Sequence, residues 1–289
     1  MSSPLTTEEA ESFQNRLVEE ASPELTTSTI PIFRLENDLP VPLGSGVLLQ
    51  IANKHFIVSA AHVLDFMAFR NTLCFIPSRA ERGNPIPLSN VGILVSPIPP
   101  NRTRDDPRMR DDDKFDVGVC ELTPEILAQM TSDYRFMHLF DVDVTVPPSI
   151  GLYMVMGYPF ELRKISNEGR SVSATNLRFV TALCEPDSAE PQWSLRLQYP
   201  SKRDSFVAPY PGGMSGCGIW RFAEQSRPSK LWKKEDVKLV GIQHSYNSQG
   251  RFVRGTSFSA VLSLIGMQWP DLQPAIRLTH DSISFKSSG

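Results

Sequence analysis

The sequence predicts an all-β fold of the barrel or sandwich kind, and three observations carry that expectation. Short apolar runs rich in β-branched residues recur along the chain. Turn-forming residues separate them at short, repeated intervals. Proline is in excess, at 24 of 289 residues, where average usage of about 5% would give roughly 14. Because these prolines alternate with the apolar runs, they read as turn and strand-edge punctuation rather than as disorder.

The first 29 residues stand apart from that pattern. Thr6-Thr7-Glu8-Glu9 has the T-x-x-E form of a capping box, with Leu5 placed to staple onto Ala10. Phe13, Leu17, Val18 and Ala21 follow at helical spacing until Pro23, which should stop the helix. The expectation is a short amphipathic helix packed on the body; a helix that binds a partner is the other reading. Strands are expected at 46–51 and 56–60, joined by a turn at Asn53-Lys54. Further strands are expected at 72–76, 91–95, 117–122, 151–156, 172–183, 193–198, 218–222, 239–243 and 251–256. The stretch 101–114 nearly cancels its own charges and reads as a solvated loop, and 224–238 as a long hairpin tip. Val146-Pro147-Pro148-Ser149 is the candidate linker between two halves of the chain. Phe258, Val261, Leu262 and Ile265 predict a closing helix that Pro270 ends.

Composition narrows the function classes. A net charge of −3 and a pI near 6.0 argue against a nucleic-acid partner, which calls for a basic face. No stretch approaches the roughly 18–20 apolar residues of a membrane helix, so no membrane partner is expected. Residues 1–14 carry acids and hydroxyls where an export signal would carry a basic and then an apolar segment. Cys74, Cys120, Cys184 and Cys217 stand alone, without a CxxC pair, and the five histidines are scattered. Reduced thiols in a cytoplasmic protein are expected, with no metal site and no cofactor.

Three short segments carry chemistry. Pro211-Gly212-Gly213-Met214-Ser215-Gly216-Cys217-Gly218 is a glycine-rich turn with one serine just before an apolar strand. Glycines allow the tight fold and free N–H groups to point at a substrate oxygen. The hydroxyl is inert without a base held by a third group; glycine-serine turns without chemistry are also common. Phe56-Ile57-Val58-Ser59-Ala60-Ala61-His62 supplies a base candidate. Its two alanines allow close packing beneath the imidazole, a context that His55, His138 and His280 lack, although such a histidine can equally be structural. Asp116, between Phe115 and Val117, must find a partner or bear a large desolvation cost. An imidazole N–H would serve it, as would a backbone donor at a strand start.

Taken together, the order His62, Asp116, Ser215, with A-A-H, an apolar strand after the aspartate and G-x-S-G, resembles the chymotrypsin/trypsin-fold serine proteases. Gly44-Ser45-Gly46, Val155-Met156-Gly157-Tyr158-Pro159 and Leu239-Val240-Gly241-Ile242 extend the likeness over roughly residues 40–268. It implies two Greek-key six-stranded β-barrels packed side by side, with a short N-terminal and a C-terminal helix. The first barrel would span 30–145 and carry His62 and Asp116. The second would span 146–268 and carry Ser215, leaving 1–29 as an appendage and 269–289 as a tail. Ser215 would be the nucleophile, His62 its base, and Asp116 the group that orients the imidazole. The N–H groups of Gly213 and Ser215 would form the oxyanion hole.

The departures from that family are specific. Met214 stands where digestive members carry the aspartate of their zymogen switch, and Cys217 replaces a glycine, reading as a small buried filler rather than a nucleophile. Pro209 occupies the place of a lysine- and arginine-selecting aspartate, which disfavours that preference. Gln243, after Gly241-Ile242, is expected to line the pocket where glutamate- and glutamine-specific relatives carry histidine. His244, turned to the opposite face, could instead approach Asp116. Tyr210, Gly241 and Gly255 complete the candidate substrate contacts. The resemblance implies limited proteolysis of a protein or peptide substrate through an acyl-enzyme, with a regulatory protein partner as a further candidate. The rival is a catalytically silent peptide-binding or scaffold module on the same fold.

Overall fold

The computed structural model describes residues 7–37, 39–70, 73–75, 85–103, 110, 113–130, 133–145, 151–165, 172–185, 188–200, 209–222 and 237–284. Its framework is two antiparallel sheets, and the apolar runs explain both. β1 (Thr29–Glu36), β2 (Leu39–Ile51) and β3 (Lys54–Ser59) form a meander. Ile51 pairs with Lys54, so the connecting turn is Ala52-Asn53, one residue earlier than the sequence suggests. That register sends Val47, Leu49, Ile51, Phe56 and Val58 to one face and Leu48 and Ile57 to the other. Both faces are buried, so the runs are apolar throughout instead of alternating with polar residues.

After α2 (Ala61–Arg70), β4 (Leu73–Phe75) and β5 (Ile86–Pro87) extend the sheet beyond β1, and β6 (Gly92–Val95) and β7 (Gly118–Glu121) extend it beyond β3. The order is β5-β4-β1-β2-β3-β7-β6, seven strands where six were expected. The short pair Ile86–Pro87 against Cys74 and Phe75 makes the difference. One short helix, α3 (Pro124–Leu127), follows, with Thr123 as its cap.

The second sheet begins with β8 (Tyr153–Gly157). A side ribbon of β9 (Arg163–Ile165) and β10 (Val172–Ala174) precedes β11 (Leu177–Thr181), so the run expected at 172–183 divides between two sheets. β12 (Ser194–Gln198), β13 (Gly218–Arg221), β14 (Lys238–Asn247) and β15 (Phe252–Ser257) complete the order β11-β8-β13-β14-β15-β12. The chain is therefore mostly β, two antiparallel sheets with a few helices, as its sequence predicts.

Each sheet has its own core, and a third core lies between them. Ile30, Ile32, Leu48, Ile57 and Phe75 fill the first, and Tyr153, Val155, Leu197, Ile219 and Val240 the second. Leu49, Phe56 and Val58 meet Met154, Met156 and Trp220 in the third. α4 (Phe258–Gln268) adds Phe258, Val261, Leu262 and Ile265 to that shared core. Trp269 caps it and Pro270 starts a new turn, so the closing helix ends where expected. A further helix, α5 (Gln273–Ser284), follows and seats Ile276 there.

α1 (Thr7–Thr27) corrects one expectation, because the helix runs on past Pro23. Proline removes an N–H and strains the turn behind it. Here burial of Ala21 and Leu25 in the shared core holds the last turn from outside, and within the helix Thr26 Oγ1 donates to the Ser22 carbonyl at 2.6 Å. Leu5 and Thr6, the side chains of Phe13, Leu17 and Val18, the linker at 146–149 and the tip at 224–236 lie outside the described residues.

Candidate active site

Antiparallel pairing brings the base and the acid to one end of the first sheet. Ser59 at the end of β3 pairs with Gly118 at the start of β7. His62, three residues beyond, and Asp116, two residues before, therefore leave the sheet side by side. Ala61 opens α2 and puts His62 in its first turn. The approach is close because residue 118 is glycine: a Cβ there would stand 2.9 Å from Leu64 and 3.3 Å from the Ala61 Cα.

Asp116, 2% exposed, grips His62 twice. Its Oδ1 accepts the His62 backbone N–H at 2.9 Å, and its Oδ2 lies 2.6 Å from Nδ1. Burial works against charge on both groups, but their mutual attraction prevails: the imidazole is held above 6.5 and the carboxyl below its ordinary range. An ionised carboxylate only accepts, so Nδ1 carries the proton and Nε2 keeps its lone pair. The His62 side chain remains 34% exposed.

Ser215 lies in the turn that feeds β13 at Gly218. The Met214 N–H donates to the Pro211 carbonyl at 3.0 Å and the Cys217 N–H to the Met214 carbonyl at 2.9 Å. Met214 is buried in the core of the second sheet and pins the turn from beneath. Gly213 and Gly216 have φ of +90° and +92°, the left-handed region that favours glycine. The Gly212 carbonyl accepts the Phe160 N–H at 2.8 Å, which turns the Gly213 N–H the opposite way. Among the described residues neither that N–H nor that of Ser215 donates to another group.

The first sheet holds this turn across the seam through Ser45. Its N–H donates to the Ser215 carbonyl at 2.7 Å, its hydroxyl to the Gly213 carbonyl at 3.0 Å, and its own carbonyl accepts the Ser59 hydroxyl at 2.7 Å. A Cβ on Gly44 would strike both Val63, the neighbour of His62, and the Ser215 carbonyl. The base helix and the serine turn thus flank one glycine. Arg163, buried and without a carboxylate partner among the described residues, donates to the carbonyls of Ile32, Gly44, Tyr158 and Gly213. Burial lowers its pKa to about 9.

The Ser215 hydroxyl donates to the His244 carbonyl at 3.1 Å. His244 sits at the irregularity in the β14–β15 pairing, between Gln243 and Ser245. Its ring is buried and feels the charges of Asp116 and His62. Neither ring nitrogen has a hydrogen-bond partner among the described residues. Gln243 is also buried, its amide donating to the Ser245 carbonyl at 3.0 Å. Tyr210 is 64% exposed beside Tyr246, with ring centroids 6.1 Å apart. Gly241 and Gly255 lie on β14 and β15, where a Cβ would meet Leu195 and Ile219. Cys217 is buried, its thiol pushed up by desolvation, and its Cβ packs against Gly157.

Two groups escaped the sequence reading. Arg163 had a weak signal, an arginine between Leu162 and Ile165, and nothing in the chain pattern pairs it with four carbonyls. Arg110 and Asp113 fall in the stretch whose charge balance predicts a solvated loop, yet both are buried. Near-cancellation of charge is the same signal for a solvated stretch and for a buried ion pair. Among the described residues no group of three or more His, Cys, Asp or Glu is arranged to hold a metal ion, and no helix is long and apolar enough to cross a membrane.

No family model matches the chain, and no curated protein matches it. Among solved structures it is similar to one concerned with the coupled folding and binding of the intrinsically disordered Sesbania mosaic virus VPg protein. That likeness has 15% identity and a TM-score of 0.44, covering 84% of this chain and 91% of that one. It is also similar to catalytically active tobacco etch virus protease complexed with product, at 11% identity and a TM-score of 0.41, over 89% of this chain and 77% of that one. Neither likeness is close enough to transfer chemistry.

Proposed function

We propose that the chain is a serine endopeptidase acting on a protein or peptide substrate. The observation that carries this reading is the double grip of Asp116 on His62 beside the serine turn. It leaves Nε2 as the basic nitrogen, directed by a buried carboxylate. In the proposed reaction Ser215 Oγ attacks the scissile carbonyl carbon while His62 takes its proton, and the oxyanion is received by the N–H groups of Gly213 and Ser215. His62 then gives the proton to the leaving amine. Water, deprotonated by the same imidazole, releases the acyl group from Ser215. Cys217 is an unsuitable nucleophile, since a buried thiol held in its neutral form attacks poorly.

One observation favours a second reading, a silent peptide-binding module. The serine hydroxyl donates to the His244 carbonyl, and for attack it must leave that acceptor for His62. A fluorophosphonate probe separates the two, applied alone and with candidate protein partners. The enzyme reading expects stoichiometric labelling that Ser215→Ala abolishes, and peptide-library cleavage reduced by a factor on the order of 10⁴ or more in that variant. A wild-type chain that binds peptides but neither labels nor cuts under any of these conditions is the silent module.

A further inference from the structure

Arg110 is 7% exposed and reaches three separate pieces of chain. Its Nε and Nη2 donate to Asp65 Oδ2 and Oδ1 at 2.8 and 3.3 Å. Nη2 also donates to the Ser96 carbonyl at 2.7 Å, and Nη1 to Ser96 Oγ and the Pro97 carbonyl at 3.1 and 3.0 Å. The last contact is Nη1 to Asp113 Oδ2 at 2.6 Å. The forked, planar guanidinium is the side chain that can bridge such a set.

Asp65, Ser96 and Asp113 each tie Arg110 to a segment that carries a candidate catalytic group. Asp65 is on α2, three residues after His62. Asp113 Oδ1 accepts the Phe115 N–H at 2.9 Å, and Ser96 Oγ accepts the Val117 N–H at 3.3 Å, so the residues on both sides of Asp116 are held. Among the described residues Arg110 makes no hydrogen bond to His62 or Asp116. Among the described residues, the charged and titratable groups that act on His62 are Asp116, Asp65, Arg110 and His244.

We infer that Arg110 is a positioning residue that clamps the helix carrying His62 to the loop carrying Asp116, and that its charge offsets that of Asp65 at the imidazole. The inference rests on the peptidase reading for its catalytic meaning, but the clamp itself has a readout without catalysis. A buried ion pair stripped of one partner leaves an uncompensated charge, and that charge acts on the nearest titrating group.

The test is an NMR titration of the His62 ring in the full chain, alongside the pH profile of kcat/KM on a cleaved peptide. The variants are Arg110→Met, Arg110→Lys, Asp65→Asn and the double variant Arg110→Met with Asp65→Asn, each checked for native circular dichroism. Arg110→Met is expected to move the His62 titration and the acidic limb of kcat/KM upward, and Asp65→Asn to move both downward. The double variant brings the titration back toward wild type without restoring kcat. Arg110→Lys leaves the titration in place but lowers kcat at least tenfold, because an ammonium cannot bridge three chain segments. A His62 titration that none of these changes moves, or variants whose kcat per labelled serine equals wild type, would overturn the clamp. A wild-type chain that is inert while the titration shifts appear as expected overturns the peptidase reading alone. If Arg110→Met fails to fold, Arg110→Lys and Asp65→Asn decide the matter.

Discussion

A carboxylate as deeply buried as Asp116 stays ionised chiefly because His62 answers it, and a second histidine nearby lives by the opposite rule. Burial holds His244 neutral down to about 4, against an ordinary 6.5. The unfolded chain binds a proton at this residue below 6.5 while the folded chain refuses it until about 4. Stability is therefore lost as pH falls through that window, on the order of 3 kcal/mol from this group. His244→Leu is expected to be more stable than wild type at pH 5 and unchanged at pH 8, as read from urea midpoints. A variant that loses stability equally at both pH values would contradict the account. His62, raised instead of lowered, works in the other direction, stabilising at low pH and losing that contribution as pH rises through its folded value.

At the scale of elements, the turn around Ser215 was the most legible part of the chain and the charged stretch before Asp116 the least. Gly212, Gly213 and Gly216 announce a tight turn because few other residues tolerate its backbone. A Cβ on Gly216 would lie 2.0 Å from both the Ser45 carbonyl and the Ser59 hydroxyl. Gly216→Ala is expected to displace the turn, cost about 2–4 kcal/mol and abolish fluorophosphonate labelling. Far-UV circular dichroism should stay native at low temperature, and full labelling of the variant would show that the turn tolerates a side chain. Strand positions were legible wherever a single apolar run fed one sheet, as at 56–60 or 218–222. They were less so at 172–183, where Thr175 and Asn176 separate two strands of different sheets. Pro23 misled because propensity is local, whereas the burial of Ala21 and Leu25 that carries α1 through it is tertiary. The Arg110 cluster was hidden for a related reason: sequence records which charges are present, and only the fold decides which of them leave water.

At the scale of the whole molecule, the two sheets share a core that neither could bury alone. Phe258, fully buried, belongs to it together with strands of both sheets and α1. Phe258→Ala is expected to cost about 3–5 kcal/mol. Unfolding should remain one transition, with tryptophan fluorescence and circular dichroism coincident in urea; two separated transitions would mean that the sheets fold independently. The candidate site has the same dependence on both halves. His62 and Asp116 come from one sheet and Ser215 from the other, and the His244 carbonyl accepts the Ser215 hydroxyl.

Ser45 gives that dependence a direction in time. Translation delivers it early, together with His62 and Asp116, whereas the turn it holds emerges late and is completed only when Gln243 accepts the Gly216 N–H. Synthesis runs from the N-terminus, so on the peptidase reading a nascent chain carries its base and acid before it has a nucleophile. The seam is then a form of self-restraint built into synthesis. On that reading the cutting activity stays unarmed until the second half of the chain has been made and has docked against the first.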